Sequence, residues 1–230
     1  YMEKASREAK VHTSWTQPNP EYDGALREFI EGILNDQEFN SDLETFVKPL
    51  IEPGRVNSLA QTLIKLTAPG VPDFYQGTEL WDLSLVDPDN RRPVDYGLRR
   101  RLLSELDRMT PEEIWHRIDE GLPKLWIIRQ TLKLRRSRKL LEPASSYRPL
   151  VARGEKSAHV VAYTRGERIA SVVPRLVIKL GAKWGETTLE LPEGRWNNAF
   201  TDETLNGGEN AVAKLLHRFP VALLCQERIS

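Results

Sequence analysis

Apolar residues recur at helical spacing through the first two-thirds of the chain, and that pattern stops at Pro143. A chain divided in this way folds as a helical region followed by a β region, because stripes with a 3.6-residue period bury as helices and alternating runs bury as strands. Asn19-Pro20 marks a helix start, an N-cap side chain followed by proline in the first turn. Tyr22, Leu26, Phe29, Ile30, Ile33 and Leu34 then supply one apolar face. Ser41 and Glu44 read as a capping box for a second helix through Leu43, Phe46, Val47 and Leu50, which Pro53-Gly54 is expected to end. A third follows through Val56, Leu59, Ala60, Leu63 and Ile64 as far as Pro69-Gly70.

The texture then changes. Residues 71–76 are too short for a helix between breakers and carry aromatic side chains suited to a strand. Residues 77–96 are polar and almost without periodicity, and a loop of that length inside a compact domain is usually functional or disordered. Helices are expected again over 98–106, from the capped start Thr110-Pro111-Glu112-Glu113, and over 123–138. Beyond Pro143, short β-rich runs lie at 158–163, 168–173, 176–180, 187–191 and 219–225, with Asn206-Gly207-Gly208 as a turn. Regularly spaced strands suggest an antiparallel β-sandwich. The expected division is therefore 1–143 and 144–230.

The 33 basic and 33 acidic residues cancel, so no excess of positive charge points to nucleic acid or anionic lipid. The basic stretch 132–138 reads as a solvated helix face. A hydrophobic fraction of 40% with 29% charged residues is that of a globular chain. The single cysteine, Cys225, lies in an apolar run, which fits a packing residue in a reducing compartment. No apolar stretch approaches the roughly 18 residues of a membrane span, and no secretory signal is present, so a cytoplasmic location is expected.

The chemistry concentrates in residues 69–96, which contain Pro-Gly-Val-Pro-Asp-Phe-Tyr-Gln-Gly-Thr-Glu-Leu and then Asp-Pro-Asp-Asn-Arg-Arg-Pro-Val-Asp-Tyr. A helix, a strand and then a polar loop make one unit of a (β/α) barrel, whose sites lie in the loops after the strands. Aromatic side chains stack on sugar rings, and Asp, Asn and Arg hydrogen-bond vicinal hydroxyls. The bland reading is a turn-rich connector whose Asp and Arg residues pair with each other.

Gly70-x-Pro72-x-x-Tyr75-x-Gly77-x-Glu79 resembles the eighth barrel strand of the α-amylase superfamily, glycoside hydrolase family 13. Asp87-Pro88-x-Asn90-Arg91 matches that family's following loop, where the Asp and Arg bind glucose on the donor side of the cleavage point. The fuller segment 87–96 is similar to maltooligosyl trehalose synthases, as is Lys10-Val11-His12-Thr13-Ser14-Trp15 followed by Pro18-Asn19 and Tyr22.

The resemblance implies the last part of a (β/α)8 barrel with extra helices, followed by a C-terminal β-sandwich domain. It also implies an intramolecular transglucosylase that turns the reducing-end α-1,4 bond of a maltooligosaccharide into an α,α-1,1 bond. The mechanism would be retaining, with two carboxyl groups about 5–5.5 Å apart and no metal or organic cofactor. In the family those carboxylates lie upstream of the segment that matches Tyr1 onward, so no catalytic residue is expected here. The chain is expected to be a fragment, inactive alone, whose partners are a maltooligosaccharide and the remainder of the parent barrel.

The expected substrate-binding residues are Asp87, Arg91, Tyr75, Trp15 and His12. Against these stand a local Asp87–Arg91 salt bridge, a packed Tyr75 and a buried Trp15 bracing the next helix. Asp73 and Glu79 match no family catalytic position; Glu79 reads as a loop anchor or a wall of the site. Asn90 and Arg92 read as structural partners of the loop, and Trp184 and Trp196 as core or turn residues. Two alternatives remain: another α-amylase-superfamily enzyme, and a non-catalytic glucan-binding module.

Overall fold

The computed structural model describes residues 1–138, 145–166, 168–181 and 183–226. It divides into two compact units, Tyr1–Ile51 with Leu83–Val94 and Glu52–Asp82 with Asp95–Ser230.

The first unit contains α1 (Met2–Ala9), α2 (Pro20–Asn35) and the first half of α3 (Gln37–Thr67). Asn19 caps α2 as its sequence indicates, its Oδ1 accepting the Tyr22 amide at 3.1 Å with Pro20 in the first turn. Asp36 rather than Ser41 starts α3, its Oδ1 accepting the Phe39 amide at 3.0 Å. Nor does Pro53-Gly54 end a helix, since α3 continues through it for 31 residues in all. Proline removes one N–H donor and crowds the preceding turn, a cost that neighbouring hydrogen bonds and later packing offset. The boundary between the two units, Ile51/Glu52, falls beside this weak stretch.

The second unit holds the core. Leu59, Leu63 and Leu66 of α3 are fully buried, as are Leu102 of α4 (Tyr96–Glu105) and Ile114 of α5 (Pro111–His116). Leu122 and Ile127 of α6 (Leu122–Arg138) join them. Thr110 forms the capping box read from sequence: its Oγ1 accepts the Glu113 amide at 3.2 Å, and its own amide donates to Glu113 Oε2 at 2.7 Å. Residues 71–76 form no strand. The expected boundary near 143 lies outside the described residues.

Seven strands make one antiparallel sheet: β1 (Tyr147–Leu150), β2 (Ala152–Arg153), β3 (Val160–Arg165), β4 (Ile169–Pro174), β5 (Thr188–Asn198), β6 (Thr204–Ala211) and β7 (Ala222–Gln226). The order is β1-β3-β4-β7-β5-β2, with β6 also paired to β5. Only Val151 separates β1 from β2, yet they sit at opposite ends of that order. The sheet therefore curls until its ends nearly meet.

Curling explains why every residue of β4 is buried. Ile169 and Val173 join the cluster that contains α3 to α6, whereas Ala170 and Val172 face Leu189, Leu191, Trp196 and Leu224 inside the curl. Strand side chains alternate between faces, so a sheet covered on both sides shows continuous burial. Residues 176–180, expected as a strand, instead form the one-turn helix α7 (Val177–Leu180), and α8 (Val212–Leu215) closes the inner cluster. The expected turn at Asn206-Gly207-Gly208 lies within β6, opposite an irregularity in β5 between Leu191 and Arg195. A Cβ on Gly207 would stand 2.7 Å from Glu193 Cα, so glycine permits that close approach.

A buried polar knot ties α3 to the sheet. Thr67 Oγ1 lies 2.7 Å from the Tyr163 hydroxyl and accepts from Ser171 Oγ at 3.0 Å. The Arg165 guanidinium donates to the Thr67 carbonyl at 2.9 Å, and Arg135 donates to that of Leu66 at 2.7 Å. Cationic donors thus satisfy carbonyls that the end of α3 leaves without helical partners.

Candidate functional site

Four of the five expected sugar-binding residues belong to the first unit. Asp87 begins a short turn in which the Asp89 amide donates to Val86 O and the Arg91 amide to Pro88 O, both at 3.1 Å. Asp89 braces it, accepting from the Leu85 amide at 2.8 Å and pairing with Arg92. Asp87 pairs with Arg91 four residues on, and Lys4 of α1 holds it from another direction. The Lys4 ammonium donates to the Asp87 carbonyl at 2.7 Å and to its Oδ2 at 3.1 Å. That hydrogen bond, with the Arg91 charge, keeps the Asp87 carboxyl below the usual carboxylate range.

Arg91 leaves 70% of its side chain to solvent and so keeps N–H donors available beyond Asp87. The buried Oδ1 of Asn90 accepts no hydrogen bond among the described residues, so this atom braces nothing in the loop.

His12 and Trp15 lie in the turn before α2. Thr13, the buried residue of this unit, organises it by accepting the Asn19 amide at 3.0 Å, and Ser14 Oγ accepts the Gln17 amide at 2.9 Å. The His12 ring stacks at 4.9 Å on Tyr22. Trp15 is 57% exposed rather than a buried brace, and the Arg7 guanidinium lies 4.9 Å from its ring centre. Arg7 is fixed in turn by Asp23 at 2.8 Å and Glu3 at 2.8 Å. Asp23 is thereby held in its charged form, chiefly by the hydrogen bond from Arg7.

Tyr75 belongs to the second unit and is 47% exposed. Its carbonyl accepts from Thr78 Oγ1 at 2.7 Å, which fixes the turn that follows. Arg99 of α4 clamps the same turn, donating to Gly77 O at 2.5 Å and to Glu79 at 3.0 Å. Glu79 is therefore an anchor. Further along, Lys124 donates to Leu80 O at 3.2 Å and Trp81 Nε1 donates to Ile118 O. Burial lowers the Lys124 pKa. Trp196 is fully buried with its Nε1 donating to Pro192 O at 2.9 Å, and Trp184 packs on the inner cluster.

Sequence reasoning missed Lys4, Arg7, Arg99 and Lys124. Each holds a site segment 8 to 83 residues away, a separation at which no local pattern signals the contact. An open groove in the second unit, lined by Ser104, Glu105, Arg108, Met109, His116 and Arg117, is distinct from these residues. Its Arg117 is already committed to Glu105 and Glu120, both at 2.5 Å. Among the described residues no group of three or more His, Cys, Asp or Glu side chains is placed to hold a metal, and no helix is long and apolar enough to cross a membrane.

The α+β architecture with its curled antiparallel sheet is similar to the C-terminal region of solved enzymes. The particular likeness is to maltooligosyl trehalose synthases. A curated Mycobacterium tuberculosis protein of that name is 40% identical over 99% of this chain. The solved synthase of Arthrobacter ramosus is 36% identical with a TM-score of 0.85, covering 97% of this chain and 29% of its own. A Sulfolobus tokodaii structure described as a hypothetical maltooligosyl trehalose synthase is 31% identical with a TM-score of 0.71, covering 97% and 28%. No family model matches the chain. The chain is thus a relative of the maltooligosyl trehalose synthases over their C-terminal portion, and it spans 28% of the length of the curated relatives it matches.

Proposed function

We propose that this chain is the C-terminal part of an intramolecular transglucosylase that converts the reducing-end α-1,4 linkage of a maltooligosaccharide to an α,α-1,1 linkage. The helical segments before residue 143 are the last units of its (β/α)8 barrel, and the curled sheet is its sandwich-type C-terminal domain. The nucleophile and the acid lie in the preceding polypeptide, so the chain by itself is inactive. The carrying observation is 40% identity sustained over 99% of the chain, joined to a loop in which Asp87 and Arg91 stay paired and partly exposed.

In this reading Asp87 accepts from a glucose hydroxyl while Arg91 donates to its neighbour, a pairing suited to vicinal hydroxyls. Within the first unit Trp15 offers a ring face to a sugar and His12 supports the Trp15 turn; Tyr75, in the second unit, is by itself a candidate for stacking on the glucan.

The test uses a full-length polypeptide in which this chain replaces the matching portion of the Arthrobacter ramosus synthase. Asp87→Ala and Arg91→Ala should each lower kcat/KM on maltopentaose about 10- to 100-fold, the loss of a charge-assisted hydrogen bond or two. Unchanged kcat/KM in both variants would remove them from the binding site.

A further inference from the structure

Asn206-Gly207 is the one Asn-Gly step in the chain, and the proposed activity makes no use of it. A backbone nitrogen can attack the side-chain carbonyl of the asparagine before it, and glycine, lacking a Cβ, leaves that approach unshielded. In a folded chain the attack depends on how firmly the peptide between the two residues is held.

Three features of β6 free it. The strand pairs with β5 and with no other strand among the described residues, so one of its sides is open. The pairing runs up to Arg195↔Asn206 and resumes at Leu191↔Gly208, which leaves Gly207 without a partner in the register. The Asn206 side chain is exposed and makes no hydrogen bond among the described residues. A further contact favours the chemistry itself. Asn210 Nδ2 donates to the Asn206 carbonyl at 3.0 Å and to that of Gly208 at 2.9 Å. Negative charge left when the Gly207 N–H ionises is shared with the Asn206 carbonyl oxygen, so a donor on that oxygen stabilises it.

The other asparagines lack this combination, and none of them precedes a glycine. Asn35 and Asn40 are tied to carbonyls, at 2.8 Å to Glu31 and at 2.7 Å to Asp36, and Asn198 is 2% exposed.

We propose that Asn206 is a self-modification site, converting to aspartate and isoaspartate through a succinimide formed with Gly207. The Gly207 nitrogen gives up its proton and bonds to Asn206 Cγ, and the side-chain nitrogen leaves with a proton as ammonia. Water then opens the ring at either carbonyl, so no oxidant or reductant enters. Opening at the main-chain carbonyl routes the backbone through Cγ and adds one methylene to it. The strand thereby lengthens between its two registered segments and gains a carboxylate. This inference is independent of the proposed activity.

Incubation of the protein in mildly alkaline heavy-oxygen water, followed by peptide mapping, tests it. Asn206 should convert before any other asparagine, with isoaspartate as the larger product and one heavy oxygen in each converted chain. Gly121→Ala, which strains the turn before α6, should leave the rate unchanged, because the reaction runs in the folded chain. Asn210→Ala should slow the conversion about fivefold, the weight of one hydrogen bond to the ionised peptide. An Asn206 that outlasts other asparagines overturns the proposal, as does aspartate without isoaspartate, the mark of direct hydrolysis. Acceleration by Gly121→Ala overturns it too, since the chemistry would then belong to the unfolded chain. Faster conversion in Asn210→Ala overturns the assistance and makes Asn210 a brace of the strand.

Discussion

Lys4 grips Asp87 twice, donating to its carbonyl at 2.7 Å and to its carboxylate at 3.1 Å, although 83 residues separate them. The first helix thereby fixes both the backbone and the charge of the residue proposed to meet the sugar. Because the folded pKa of Asp87 is depressed, its pairing stabilises the fold above the ordinary carboxylate range and is lost as pH falls through the folded value. Lys4→Met should raise the Asp87 titration midpoint, as read by NMR of the carboxyl carbon. An unmoved midpoint would show that Arg91 alone sets it.

A second ion pair ties α5 to the segment before β7. Arg218 bonds Glu112 through Nε at 2.5 Å and Nη2 at 3.0 Å, and holds the Glu112 pKa down to about 2. The sign is again that of a depressed acid: the pair contributes in full above the ordinary carboxylate range and its contribution declines from there as pH falls through about 2. Arg218→Met should return Glu112 toward about 4.3, and its melting temperature should approach that of the parent as both are acidified. A constant gap down to the lowest pH would assign the loss to packing instead.

Gly121 stands at φ 80°, and a Cβ there would meet Leu80 Cα and the Trp81 amide nitrogen, both at 3.1 Å. Gly121→Ala should destabilise the protein by about 1–3 kcal/mol, combining a left-handed backbone with a clash against backbone atoms. Urea unfolding measures it. A loss below about 0.5 kcal/mol would mean that the 80–81 segment yields easily.

Much of the fold is legible in the sequence because its signals are local. Asn19-Pro20 and Thr110 to Glu113 carry their caps within four residues, and the structure forms both. Pro53-Gly54 misleads because the punctuation marks the edge of a compact unit and not the end of a helix. Asn206-Gly207-Gly208 misleads for a related reason: its glycines admit the close approach of β5, a demand visible only once the strands pair. In the candidate site the Asp87–Arg91 pair spans four residues and is readable, whereas the Lys4, Arg7 and Arg99 clamps depend on tertiary proximity.

The knot at the end of α3 should resist simplification. Thr67 is fully buried, and its hydroxyl joins Tyr163 to Ser171. Thr67→Val should cost about 1–3 kcal/mol in chemical denaturation by leaving those hydroxyls short of a partner. Burial raises the Tyr163 pKa, so its ionisation should appear later than that of exposed tyrosines in an ultraviolet titration. Titration together with the exposed tyrosines would place Tyr163 nearer solvent.

The most direct test of the central claim is product analysis of maltopentaose treated with the Arthrobacter chimera that carries this chain. The account expects loss of the reducing end with chain length conserved, the signature of an α,α-1,1-terminated product. A folded chimera that yields only shorter reducing sugars would contradict it and assign the chain to a hydrolytic member of the superfamily.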